Sequence, residues 1–162
     1  MKTQRLAVFI LLALPVFAAA GKDEVEFQGG TLQIKNGAKL RVNLTDEGAA
    51  VFAGEGMVRV PWKGIKSIEY GQTASRRVTS AILLSPLALF SKARKHFISL
   101  EWVDEKDQPQ SAALRADKNN FRAILSALRA KSGVDVNCGD PEAAKYFNCA
   151  NSAELLEASK KK

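Results

Sequence analysis

The sequence predicts a mainly β, α+β domain in which seven short antiparallel strands close into a barrel and a C-terminal amphipathic helix caps one end. Three observations predict it. Apolar and polar residues alternate in short runs over residues 25–70, with turn residues between the runs. Two more such runs follow at residues 97–103 and 110–114. The period then changes from two to about 3.6, which places Phe121, Ile124, Leu125 and Leu128 on one helical face.

Each element has its own local reason. Leu32 and Ile34 alternate with Gln33 and Lys35, and Asn36-Gly37 then supplies a strong hairpin signal before the returning run Leu40, Val42 and Leu44. Asp46-Glu47-Gly48 turns the chain into a small-residue strand at 49–53, and Gly54-Glu55-Gly56 turns it again. Met57, Val58 and Val60 lead to Pro61-Trp62, and a fifth strand at 65–70 ends at Gly71. A meander of about five strands has long edges, and curling into a barrel or sandwich hides them. The sixth strand carries Phe97, Leu100, Trp102 and Val103, a charged turn spans 104–109, and the seventh strand covers 110–114. Asp117 is the expected N-cap of the helix and Gly133 its stop. Val134 and Val136 follow as a short extended piece, and 152–159 as a weak final helix.

The order of elements and several residue runs resemble bacterial pleckstrin-homology-like and GRAM-like domains. The run Val58-Arg59-Val60-Pro61-Trp62-Lys63-Gly64-Ile65-Lys66-Ser67-Ile68-Glu69-Tyr70-Gly71 is similar to the strand, Pro-Trp corner and Ile-x-x-Ile strand of that family. Phe97-Ile98-Ser99-Leu100-Glu101-Trp102 and Phe121-Arg122-Ala123-Ile124-Leu125-Ser126-Ala127-Leu128 resemble its later strand and closing helix. The resemblance spans about residues 30–136 and implies a non-catalytic binding or scaffolding module, with lipid headgroups, membranes or peptides as ligands. The lipid-binding members present a basic cluster across the first hairpin. Here that hairpin carries only Lys35, Lys39 and Arg41, which argues against phosphoinositide recognition.

Export is expected from the first twenty residues. Lys2 and Arg5 form a basic start, residues 6–17 an apolar run, and Ala18-Ala19-Ala20 a small-residue cleavage site before Gly21. An uncleaved anchor is the alternative, but the run is shorter than the roughly 20 residues that span a bilayer, and Pro15 interrupts it. The expected organisation is thus a signal peptide at 1–20, the barrel domain at 21–136 and a tail at 137–162, placed in the periplasm or outside the cell. Cys138 and Cys149 are the two cysteines, and an even pair in an exported chain favours a disulfide. Asp140-Pro141-Glu142 between them reads as the N-cap and first turn of a short helix that the bridge would clasp.

The chain is basic, with 24 Lys and Arg against 17 Asp and Glu, a balance that favours anionic partners, among which a membrane surface ranks first for an exported protein. Lysines 160–162 supply part of the excess in a solvated tail. The most distinctive stretch lies between the fifth and sixth strands. Ile82, Leu83, Leu84, Leu87, Leu89 and Phe90 are flanked by Arg76 and Arg77 before and by Lys92, Arg94 and Lys95 after, and no acid occurs between Glu69 and Glu101. Pro86 and the length of this segment exclude a span, whereas interfacial burial with a basic collar on anionic headgroups suits it. The same residues would also serve a homodimer or protein contact, or pack on the domain's own wall.

Catalytic patterns are missing from the sequence. His96 is the sole histidine, so no multi-histidine metal site is available, and its expected place is a plain surface or strand position. The acidic groups Asp46-Glu47 and Asp104-Glu105 with Asp107 fall at turns, where solvated charge is the default. Phosphate loops, dinucleotide fingerprints and nucleophile elbows do not occur, which leaves as the further alternative an enzyme whose site is assembled from residues that no local motif reveals. No cofactor or metal is expected. Trp62, Trp102 and Tyr70 are stackable, but without a basic stripe interleaved among them nucleic acid is not an expected partner.

Overall fold

A computed structural model of the chain describes residues 24–44, 48–72 and 95–161. The fold is mainly β: one open, mixed, eight-stranded sheet followed by C-terminal helices. Its strands are β1 (Glu24–Gly30), β2 (Lys39–Leu44), β3 (Ala49–Gly54), β4 (Met57–Pro61), β5 (Ile65–Gly71), β6 (His96–Val103), β7 (Pro109–Ala116) and β8 (Val136–Cys138). A 3-10 turn, Trp62–Gly64, links β4 to β5. The helices are α1 (Phe121–Ser132), α2 (Pro141–Tyr146) and α3 (Ser152–Lys160).

The order across the sheet is β4-β3-β2-β1-β7-β6-β5-β8, antiparallel throughout except for β8 on β5. The expected closed barrel is replaced by this open sheet, with edges at β4 and β8. The reason lies at β5: Ile68, Glu69 and Tyr70 pair with Val136, Asn137 and Cys138, so the edge that a ladder to β4 would require is taken. The sheet still coils. β1 pairs with β2 through Glu24–Glu26 and with β7 along most of its length, with a bulge between Phe27 and Gly29. At Gly30 a side chain is excluded, because a Cβ would lie 2.2 Å from the Ser111 carbonyl oxygen. Coiling brings Arg59 of β4 to Glu105 of the β6–β7 turn, at 3.2 Å.

The first strand also departs from expectation. Leu32 and Ile34 do not form it. They lie half-buried in the loop after β1 and pack against the core, while Val25 and Phe27 are the buried alternating pair. The bulge at Gln28 lets β1 stay on β7 through Gly29 and Gly30 before the chain loops out, and Asn36-Gly37 closes that wide loop instead of a two-residue hairpin. Gly37, at φ 91°, donates its N–H to the Phe27 carbonyl at 2.7 Å.

The core lies between the sheet and α1. Phe121, Ile124, Leu125 and Leu128 of α1 are buried against Leu40, Ile68, Tyr70, Ile98 and Leu100. The helix starts at Phe121, not directly after Asp117. Asp117 caps the turn that leads into it, its carboxylate accepting the Asn119 N–H at 2.9 Å and its carbonyl the Phe121 N–H at 3.1 Å. Gly133 ends it as expected, in the left-handed region at φ 73°, with its N–H on the Arg129 carbonyl. Cys138 and Cys149 are bonded, and the two residues enter the core together with Ala143 of α2.

Candidate functional site at the root of the apolar segment

Period two decides which polar side chains turn inward here. Ile68 and Tyr70 face the core, so Gln72 continues on the same side just past β5. On β6, Leu100 and Ile98 face inward and so does His96. The two strands pair up to Gly71 opposite Phe97. Gln72 and His96 therefore meet where the chain leaves β5 and re-enters at β6, enclosing the apolar segment between them.

The result is a buried polar cluster. The Tyr70 hydroxyl donates to His96 Nδ1 at 2.7 Å. Gln72 Nε2 donates to the Tyr70 oxygen at 2.8 Å and to His96 Nδ1 at 2.9 Å. Two donors on Nδ1 require its lone pair, which assigns His96 as the neutral, Nε2–H tautomer. Burial holds the imidazole below its ordinary pKa, against a smaller opposing effect of the Asp117 charge. Tyr70 is fully buried, and burial pushes its hydroxyl up to about 12.

Aromatic rings close the cluster. His96 stacks on Phe121 at 3.8 Å between centroids, Tyr70 stacks on the same ring at 5.2 Å, and Tyr146 meets His96 edge-on at 6.3 Å. The disulfide-clasped tail adds a further tie. Asp140 Oδ1 accepts the Ala143 N–H at 2.7 Å and caps α2, while its other oxygen accepts the Gln72 backbone N–H at 2.8 Å. Gly139 donates its N–H to the Tyr70 carbonyl at 2.8 Å. Its imidazole and phenol are neutral, and Nδ1 and the phenolic hydroxyl are engaged within the cluster.

The two buried groups set a pH profile. Because the folded pKa of His96 is depressed, its neutral form is fully favourable above the unfolded value, about 6.5, and stability is lost as pH falls from there. Because that of Tyr70 is raised, its contribution is complete below about 10 and is lost as pH climbs to about 12. Urea unfolding across pH is expected to show a decline at both ends. In Tyr70→Phe the alkaline decline shrinks by about 2 kcal/mol, while the acid decline stays.

Of the residues singled out by the sequence, Arg76, Arg77, Ile82, Leu83, Leu84, Leu87, Leu89, Phe90, Lys92 and Arg94 lie outside the described residues. So do the export signal at 1–20 and the Asp46-Glu47 turn. Lys95 is described, half-buried directly before His96. His96 opens β6, the strand position expected of it, but it is buried, 7% exposed, and not on the surface. Gln72 and the second role of Asp140 were not anticipated. The parity of Ile68, Tyr70 and Gln72 carried the signal for the first.

Other candidates lead elsewhere. Trp62, Trp102 and Tyr70 are all buried, so they offer no open stacking face. Asp104 is a turn builder: its carboxylate accepts the backbone N–H groups of Lys106 and Gln108 at 2.8 and 2.9 Å, which hold it below the usual carboxylate range. A surface hollow of about 180 Å³ is lined by Glu24, Glu26, Lys39, Arg115 and Asp117, where Arg115 already pairs with Glu26. Among the described residues no group of three or more His, Cys, Asp or Glu is placed to hold a metal ion, and no helix is long and apolar enough to cross a membrane. Compared with family models, curated proteins and solved structures, the chain matches none.

Proposed function

We propose that the protein is an exported, non-catalytic interaction module of pleckstrin-homology-like type, working in the periplasm or outside the cell, that docks at an anionic membrane surface through residues 76–95. One observation carries the reading: the two ends of an apolar, acid-free segment with a basic collar are held side by side by the Tyr70–Gln72–His96 cluster. A segment anchored so at both ends offers Ile82, Leu83, Leu84, Leu87, Leu89 and Phe90 to the interface as a unit, with Arg76, Arg77, Lys92, Arg94 and Lys95 at headgroup level. Each such cation near an anionic surface is worth about 1 kcal/mol.

The fold-level part of the proposal draws on the sheet. β1 joins the β2–β4 half to the β5–β7 half, and α1 packs on strands of both. The cystine at 138 and 149 suits an oxidising compartment.

Co-sedimentation of residues 21–162 with anionic and neutral vesicles tests the function. The parent is expected to pellet with anionic vesicles and to be released by salt. Leu84→Asp combined with Leu87→Asp is expected to lower the bound fraction at least about tenfold, since a charge at each position opposes apolar burial. Equal binding by parent and variant would refute docking through this segment.

A further inference from the structure

The two edges of the sheet are treated differently. On β8 the tail covers the edge. Asn151 accepts the Cys138 N–H at 2.8 Å and donates Nδ2 to the Cys138 carbonyl at 2.9 Å, in the manner of a neighbouring strand, and Ala150 donates its N–H to the Val136 carbonyl at 2.9 Å. Among the described residues β4 has no such cover.

Which groups β4 offers follows from its register. Trp62 donates its N–H to the Gly48 carbonyl and Gly54 to the Gly56 carbonyl, so residues 56, 58, 60 and 62 face β3. Met57 and Arg59 then aim their N–H and C=O groups away from it. Their side chains share the solvent face, and Met57, 70% exposed, is the large hydrophobic left in water among the described residues.

We propose that a second copy of the chain pairs with this edge, β4 against β4, antiparallel about a two-fold axis beside Val58. In that register Met57 of each copy faces Arg59 of the other, and both residues use their outward N–H and C=O groups. Sliding one way sets Arg59 on Arg59 and Met57 on Pro61, which has no N–H to give. Sliding the other way sets Arg59 against the Glu55-Gly56 turn, which is not extended. In the central register residues 57–59 of the two copies lie opposite one another, and Pro61 falls beyond this ladder, opposite the Glu55 turn.

Charge favours the same arrangement. Glu55, exposed, stands at the turn before β4, with Arg59 and Lys63 toward the other end, so antiparallel pairing brings the acid of each copy to the basic end of the other, twice about the two-fold axis. Glu105 already neutralises part of the Arg59 charge within each chain. The exposed Met57 thioether packs on the aliphatic stem of the opposing arginine. A second copy satisfies the edge hydrogen bonds, the exposed methionine and the charge pattern together.

Sedimentation velocity of the purified chain over a concentration series tests the proposal, with thermal melts as the folding control. The parent is expected to dimerise, more weakly in high salt. Arg59→Pro removes an N–H that β3 does not use, and Met57→Lys places a charge at the centre of the interface. Both are expected to weaken the dimer by about tenfold or more while melting like the parent. Glu55→Lys and Lys63→Glu are each expected to weaken it, and the two together to restore it. A parent that stays monomeric would overturn the proposal, as would a dimer insensitive to Met57→Lys. So would a dimer abolished by Leu84→Asp with Leu87→Asp, which would place the contact on the apolar segment.

Discussion

Phe121→Ala is expected to destabilise the protein by about 3–5 kcal/mol, the range for deleting a buried aromatic ring. The ring is 3% exposed and lies against His96 at 3.8 Å and Tyr70 at 5.2 Å, so its loss opens a cavity at the root of the apolar segment. Water entering there would undo the burial that keeps His96 neutral. The variant's imidazole should therefore titrate closer to the ordinary histidine value than the parent's. Urea unfolding reads the first effect and histidine proton chemical shifts against pH read the second. A large loss of stability with an unchanged His96 titration would mean that burial of the imidazole does not depend on this ring.

Opening the Cys138–Cys149 bridge is expected to produce the second-largest effect. The bridge closes a short loop around α2, with a sequence separation of 11, and the double variant Cys138→Ala with Cys149→Ala is expected to cost about 2–3 kcal/mol. The consequence reaches beyond the tail. Asp140 stands between the two cysteines and accepts the Gln72 N–H, and Gly139 is bound to the Tyr70 carbonyl. Fraying of the tail would free both strand-end contacts, so the Gln72 amide should exchange with solvent faster in the double variant than in the parent. Hydrogen exchange that accelerates only within 137–161 would show that the tail does not brace the cluster.

The helix was legible because a 3.6-residue period leaves four large apolar residues in register, and Phe121, Ile124, Leu125 and Leu128 are the residues buried. Strands β2 to β7 were legible for the corresponding reason with period two. The first strand was misplaced because Leu32 and Ile34 alternate as well as Val25 and Phe27 do. The bulge at Gln28, which decides between them, is a feature of pairing with β7 far along the chain. β8 has three residues and lies parallel to β5, so no local pattern announces its partner, and with it the sheet stays open. At the site, a lone histidine beside a basic run reads as exposed. Only the pairing of Gly71 with Phe97 brings it to Gln72 and Tyr70.

The pH profile, the Phe121 cavity and the bridge all concern the platform; the central claim concerns what the enclosed segment touches. With Cys138 and Cys149 joined, Leu87→Cys supplies a single thiol for an environment-sensitive fluorophore, and vesicles of anionic lipid brominated along the acyl chains supply a quencher at known depth. Membrane docking predicts a blue-shifted emission that the brominated lipid quenches and that salt restores. Emission that stays unshifted and unquenched while the protein is bound to the same vesicles would contradict the account, since residues 76–95 would then not be what enters the lipid.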